Sequence, residues 1–277
     1  MEFNIADKLS ALAHPNRLAL FRLLMRRYPD AVPAGEIASA LNFKPNTASV
    51  YLSVLNQAGL INQHRSGTSL MYTADLTGLR GMFDALLSGC CQNRPGICSP
   101  VTSDEPIMPT VERPLNILFL CTGNSARSLL AESILNQSGE GKFRAYSAGT
   151  RPSPGPRPEV TALLQAKGHD TSTLYPKDLG AFSAPEAPKM DFIFTVCDHA
   201  ANEECPAWPG QPMSAHWGLE DPVKATGTDA ERRLAFQQAY GLLRTRIKAF
   251  VALPFETLDR LSLQHQLDDI GRVNSSD

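Results

Sequence analysis

No run of apolar residues in the 277-residue chain approaches the ~20 needed to cross a bilayer, and the first residues lack a secretory signal pattern. The expected compartment is the cytoplasm, with no membrane partner. Cysteine is scarce, with six in all. In a reducing compartment so few thiols argue against a structural disulfide framework and for metal binding, catalysis or redox work. No Gly-Lys-[Ser/Thr] follows the one glycine-containing loop that joins an apolar run to a helix, which excludes a nucleotide-binding P-loop there. Net charge is also low, −2 overall, but it is unevenly divided. Residues 1–98 hold nine Lys and Arg against six Asp and Glu, a net of +3, and the remainder holds 17 against 22, a net of −5. A mildly basic N-terminal portion fits contact with a polyanion. The length allows two domains, each with its own core.

What is there centres on Cys121-Thr-Gly-Asn-Ser-Ala-Arg127-Ser128, between the apolar run Leu115–Leu120 and the helical stretch from Leu129 to Leu135. Strand, loop, helix is the reading. Such a loop turns several backbone N–H groups inward beside the positive end of a helix, a cradle for a tetrahedral oxyanion. Thr122, Gly123, Asn124, Ser125 and Ala126 form that nest, and the fork of Arg127 closes it by pairing two oxygens at once. Gly123 and Asn124 tolerate the backbone angles the loop needs. Cys121 at the floor is expected to be a thiolate nucleophile at neutral pH, with Ser128 donating a hydrogen bond to it. The bland alternative is a buried strand-end cysteine beside a surface arginine.

These residues resemble the anion loop of the low-molecular-weight phosphatase fold, and the complete C-T-G-N-S-x-R-S form is similar to its thioredoxin-coupled arsenate reductases, over about 115–253. Further strands are expected at Phe143–Ala148, Asp191–Val196 and Met213–Trp217, with helices at Arg157–Lys167 and Asp229–Ala252, the last with Leu234, Ala235, Ala239, Leu242 and Leu243 on its apolar side. The alternation predicts an α/β domain, and the resemblance a four-stranded parallel sheet, with Cys121 and Cys197 at the carboxyl ends of strands. What the resemblance implies is a relay. Cys121 attacks arsenate, Arg127 and the loop stabilise charge, and Asp221, before Pro222, donates a proton to the departing oxygen. Cys197 then attacks Cys121 and releases arsenite, and Cys205 takes over the disulfide for thioredoxin to reduce. Ala126 stands where some relatives have another cysteine, so no relay passes there. No cofactor is expected to be tightly bound. Asn124, Glu132 and Ser147 match positions that bind potassium in some reductases, with structural hydrogen bonding as the alternative. His199 is read as a solvated or capping residue rather than a zinc ligand. Val223-Lys224 follows Asp221-Pro222 where phosphatase relatives usually carry aromatic residues, which disfavours phosphotyrosine.

The N-terminal portion reads as an α+β winged helix-turn-helix. His14-Pro15-Asn16-Arg17 starts a helix, Pro33 to Leu41 makes a short one, and Asn42-Phe43-Lys44-Pro45 turns into a third. In that third helix Ala48, Leu52 and Leu55 point inward, leaving Asn46, Thr47, Ser49, Val50 and Ser53 outward. Gly59 ends it, and Leu60–Thr73 alternates as a hairpin with its tip at Arg65-Ser66-Gly67-Thr68. The phrases Ala-His-Pro-Asn-Arg-Leu and Leu-Asn-Gln-Ala-Gly-Leu-Ile resemble ArsR-type winged-helix repressors over about 1–90. The resemblance implies that the helix from Asn46, with Lys44 before it, enters the major groove of operator DNA while Arg65 touches backbone. Asp75 caps a helix with the stripe Leu76, Leu79, Phe83 and Leu86, either a homodimer face or a core helix. Cys90-Cys91 and Cys98 then converge three sulfurs on one soft ion, and without a histidine or fourth cysteine they suit As(III) better than tetrahedral zinc.

The expected organisation is therefore a DNA-binding and arsenite-sensing domain (1–98), a linker (99–114), a reductase domain (115–253) and a C-terminal extension (254–277) with a docking helix. The function expected is an arsenite-responsive repressor fused to an arsenate reductase. The alternatives are a protein phosphatase fused to a DNA-binding regulator, and a regulator with a non-catalytic oxyanion or redox sensor.

Overall fold

The computed structural model describes residues 5–86, 90, 108–184, 186–203, 208 and 212–273. The chain divides into two compact units, Met1–Asp104 and Glu105–Asp277. The expected linker falls largely outside the described residues, as do Cys91, Cys98 and Cys205. Among the described residues no helix is long and apolar enough to cross a membrane.

The first unit runs α1 (Ile5–Leu12), α2 (Pro15–Arg27), β1 (Val32–Pro33), α3 (Ala34–Ala40), α4 (Pro45–Gln57), β2 (Ile61–Ser66), β3 (Ser69–Ala74) and α5 (Leu76–Ala85). The His14 ring accepts the Asn16 N–H and Pro15 opens α2, so the sequence signal and the helix start coincide. Asn42 takes a φ of 53° between α3 and α4, and the next residue's N–H, that of Phe43, returns to Ala38 O at 2.8 Å. That is the tight turn of a helix-turn-helix, and Asn is one of the few side chains that accept this backbone. Leu20, Leu23 and Leu24 of α2, Ile37 of α3 and Leu52 and Leu55 of α4 form the core, with Leu60, Ile61 and Tyr72 sealing it from the hairpin. The three strands are antiparallel in the order β1-β3-β2. Asp75 caps α5 by accepting Gly78 N–H, and Gly78 lies so close to Gly59 that a Cβ there would be 1.9 Å from Gly59 O. Helix α5 therefore rests on the end of α4.

The second unit runs β4 (Leu115–Cys121), α6 (Arg127–Ser138), β5 (Phe143–Gly149), α7 (Pro158–Ala166), β6 (Phe192–Thr195), α8 (Asp198–Asn202), β7 (Met213–His216), α9 (Asp229–Val251) and α10 (Arg260–Arg272). All four strands are parallel, in the order β5-β4-β6-β7. The apolar run of β4 is explained by a sheet covered on both faces. Leu115, Ile117, Phe119 and Cys121 point into one core with α6 and α9, and Leu118 and Leu120 into a second with Ala148, Phe182 and Ile193.

Two expectations change here. The buried face of α9 is Phe236, Ala239, Tyr240, Leu243, Ile247 and Phe250, whereas Leu234 is exposed. The face is set by the aromatic cluster of Phe192, Phe194, Trp217 and Phe255 around Phe250 rather than by leucines. Residues 254–273, read as an extension, belong to the core: Phe255, Leu263, Leu267 and Ile270 are buried in it, and α10 packs on β7 and α9.

Candidate active site and DNA-facing helix

The Cys121 loop sits at the carboxyl edge of the parallel sheet, between β4 and α6. Its carbonyls are tied from behind by the segment after β5. Thr150 N–H donates to Cys121 O (3.2 Å), Arg151 N–H to Thr122 O (2.9 Å), Ser153 N–H to Gly123 O (2.8 Å) and Arg157 N–H to Ser125 O (3.0 Å). With the carbonyls held outward, the loop amides are left to face a ligand. Ala126 at the start of α6 makes no side-chain cap, so the first-turn N–H groups are not blocked from within.

The expected loop conformation holds at Asn124, which has a φ of 45°, but not at Gly123, which is outside the left-handed region. A Cβ at Gly123 would be tight, 3.0 Å from Ser153 Oγ, and would need that hydroxyl to shift slightly. Gly149, not singled out from sequence, matters more: a Cβ there would be 2.6 Å from Thr122 O and 3.1 Å from Asn124 N. Only a residue without a side chain lets β5 end against the loop.

Cys121 is buried, free, and hydrogen-bonded to Ser128 Oγ at 2.9 Å and to Asn124 N–H at 3.1 Å. Asn124 Nδ2 in turn donates to Ser128 Oγ (2.8 Å) and Ser147 Oγ (2.7 Å), which fixes the serine hydroxyl toward the sulfur. Opposing influences act on the thiolate expected here. Burial pushes the Cys121 thiol up and the nearby Cys197 adds to it, while Ser128 and Asn124 N–H pull it down. Arg127 does not contribute, because its fork is turned away: Nη2 pairs with Asp221 Oδ2 at 2.9 Å and Nη1 donates to Leu219 O at 3.1 Å.

Asp221 is thus brought to the mouth of the loop, where it also accepts Val223 N–H through its other oxygen. Cys197 is free and buried at the start of α8, its sulfur 3.4 Å from Ala200 N and 3.5 Å from Thr122 Oγ1. Backbone bonding of Val196 N–H to Leu120 O keeps it level with the Cys121 loop. His199 is exposed beside Glu203 and Arg151.

The potassium expectation fails on the donor set. Lys177, missed in the sequence, places Nζ 3.0 and 3.3 Å from the Glu132 carboxylate and its backbone N–H 2.6 Å from Asn124 Oδ1. Ser147 hydroxyl donates to Glu132 as well. The acceptors that would ligate an ion are already satisfied by an ammonium, so these residues do not fit potassium. The signal was available in principle, because a glutamate in the middle of an apolar helix requires a cation. Burial raises the Glu132 carboxyl and Lys177 opposes this. Lys177→Met should therefore lower stability by about 3 kcal/mol at neutral pH. The native state holds a proton on Glu132 to higher pH than the unfolded chain does. The deficit should be fully present above the raised folded value and shrink as pH falls toward the ordinary glutamate range. Thermal melts across that window check it, and exchanging sodium for potassium should leave wild-type activity unchanged.

In the first unit, Asn46, Ser49, Val50 and Ser53 on α4 and Lys44 before it are exposed, Thr47 is half-buried, and Arg65 is exposed on the hairpin. Ala48, Leu52 and Leu55 are buried as expected. The Tyr51 ring, packed between His14 and Phe43 and bonded to Asn16, sets the angle of the helix. Cys90 is exposed and free, and the other two members of the trio lie outside the described residues.

The second unit is an α/β domain of the kind that presents a cysteine and an arginine around a strand-to-helix anion nest. Residues 116–262 match the low molecular weight phosphotyrosine protein phosphatase family, and the chain belongs to it. Residues 12–64 match a helix-turn-helix domain. Among curated relatives, an arsenate reductase of Halalkalibacterium halodurans is 36% identical over 134 residues, 48% of this chain and 93% of that protein. One of Shouchella clausii is 37% identical over 138 residues, 48% of this chain and 93% of that protein. A solved arsenate reductase in the phosphate-binding state is 25% identical, with a TM-score of 0.39, covering 50% of this chain and 97% of that one.

Proposed function

We propose that the chain is an arsenate reductase fused to an arsenite-responsive DNA-binding repressor. What supports the enzymatic half is the placement of a second buried free thiol, Cys197, at the lip of the Cys121 loop, within reach of Thr122. Hydrolysis of a phosphate ester needs one nucleophile; passing two electrons to an oxyanion needs a second sulfur to make a disulfide. Cys121 attacks arsenate held by the amides of Thr122 to Ala126 and by Arg127, and Asp221 protonates the leaving oxygen. Cys197 sulfur then attacks Cys121, the S–As electron pair leaves with arsenic as arsenite, and Cys205 draws the disulfide outward to a dithiol protein of the thioredoxin class. No tightly bound cofactor enters. The test is arsenate-dependent NADPH oxidation with thioredoxin and its reductase. Undiminished aryl phosphate hydrolysis in Cys197→Ser, with no arsenate-dependent oxidation in wild type, would favour a phosphatase instead.

The regulatory half rests on the outward set Lys44, Asn46, Thr47, Ser49, Val50 and Ser53 with Arg65 on the wing: Lys44 and Arg65 suit phosphates, the small polar residues suit base edges, and Val50 offers an apolar contact. Leu9 of α1 and Phe83 of α5 are exposed on helices tied together by Lys8, whose Nζ donates to Gly78 O at 2.6 Å. These side chains support a homodimer, which reads a two-fold operator. The trio Cys90, Cys91 and Cys98 takes As(III), the product of the enzyme, as effector. Both sets of thiols need a reducing compartment, which the cytoplasm supplies. Arsenite should release operator DNA from wild type, and Cys90→Ser should bind DNA as before but stay bound in arsenite, read by fluorescence anisotropy. Release persisting in that variant would remove the sensor assignment.

A further inference from the structure

We propose that α10, linked through Arg246, is a positioning element for the loop that carries Leu219 and Asp221. The buried Arg246 side chain of α9 spans two segments. Its Nη1 donates to Trp217 O (2.8 Å) and Gly218 O (3.0 Å), just past β7. Its Nε and Nη2 both donate to Val273 O (3.2 and 3.0 Å), just past α10. A second tie runs directly. The Trp217 ring is stacked on Phe194 at 3.9 Å, and its Nε1 donates to Leu267 O at 3.0 Å. A third is steric: at Gly271 a Cβ would lie 2.5 Å from His216 O, so α10 rests on the end of the strand with no side chain between.

The same stretch is held from the opposite side by Arg127, through Leu219 O and Asp221. Two guanidinium groups therefore grip residues 217–221, one from the nest and one from behind. When an oxyanion draws Arg127 into the nest, the front grip is released, and the place of Asp221 during proton transfer depends on Arg246 and Trp217. A fork bonding three carbonyls across two segments cannot be reproduced by an ammonium. The matched family region ends at residue 262, inside α10.

The inference rests on Asp221 as proton donor, and the test separates the two. Arg246→Lys should slow single-turnover arsenite formation by on the order of 10²-fold, the scale of a misplacement of about 1 Å, with a smaller change in KM for arsenate. Combined with Asp221→Asn, it should add little further loss, because both changes remove one function. Trp217→Phe, which keeps the stacked ring and loses the indole donor, should give a weaker form of the same pattern and serves if Arg246→Lys fails to fold. Equal fold-losses from Arg246→Lys, or Trp217→Phe in its place, in the wild-type and Asp221→Asn backgrounds, or a folded variant as fast as wild type, would overturn the proposal. If Asp221→Asn alone costs nothing, the donor assignment fails instead. The Arg246 fork is then read from phosphate affinity, which loss of its grip on Trp217 O and Gly218 O must alter by shifting the adjacent Leu219 O that Arg127 holds; an unchanged affinity overturns it.

Discussion

Replacing Cys205 by serine is expected to leave an enzyme that makes one arsenite per chain and stops, whereas Cys197→Ser makes none. The difference follows from where the arsenic is when each sulfur acts. Without Cys197 the arsenate adduct on Cys121 has no thiol to displace it, and two-electron transfer does not begin. Without Cys205 the first disulfide forms and arsenite departs, but the bond stays between two buried positions, Cys121 and Cys197, where a protein reductant cannot reach it. Steady-state turnover with thioredoxin should fall by at least about 10³-fold in both, the scale seen when a member of a catalytic unit is removed. Quenched-flow measurement of arsenite per chain separates them. A Cys197→Ser enzyme that keeps turning over would end the relay reading.

Asp221→Asn is expected to move two quantities in opposite directions. The rate of arsenite formation should drop by about 10²- to 10⁴-fold, the range for loss of a general acid. Affinity for inorganic phosphate, a shape mimic of the substrate, should rise by about fivefold. The carboxylate of Asp221 occupies the Arg127 fork, and an incoming oxyanion must displace it. The pair is partly exposed, so its competition is modest. Titration calorimetry with phosphate measures the gain, and weaker binding in the variant would show that Asp221 assists the anion rather than competing with it.

Much of this was legible in the residues because local rules and global fold agree. The strand, loop and helix around Cys121, the helix-turn-helix from Pro15 to Gln57 and the Asp75 cap carry their own signals, and they stand where those signals put them. Contacts between segments far apart in sequence were not legible. Lys177 meets Glu132 across 45 positions, Arg127 meets Asp221 across 94, and Gly149 matters only because β5 lies beside β4. The same holds for the sulfur of Cys121, which burial and Cys197 push up against the hydrogen bonds of its own loop. The apolar residues of α9 were countable, but the aromatic cluster that selects its inner face is assembled from three other segments: β6, the residue after β7 and the loop before α10.

The tether behind the nest has one further implication, for how this part of the chain can vary. Donors at Arg151, Ser153 and Arg157 alternate with prolines at 152, 154 and 156, which have no N–H to offer. Since the bonds use only main chain, mutational drift in the side chains at 150–157 can reshape the rim of the pocket while its floor stays put. Proline is the one replacement barred at the donor positions. Preference among oxyanions and access for bulkier esters can therefore evolve here without dismantling the grip on the anion itself.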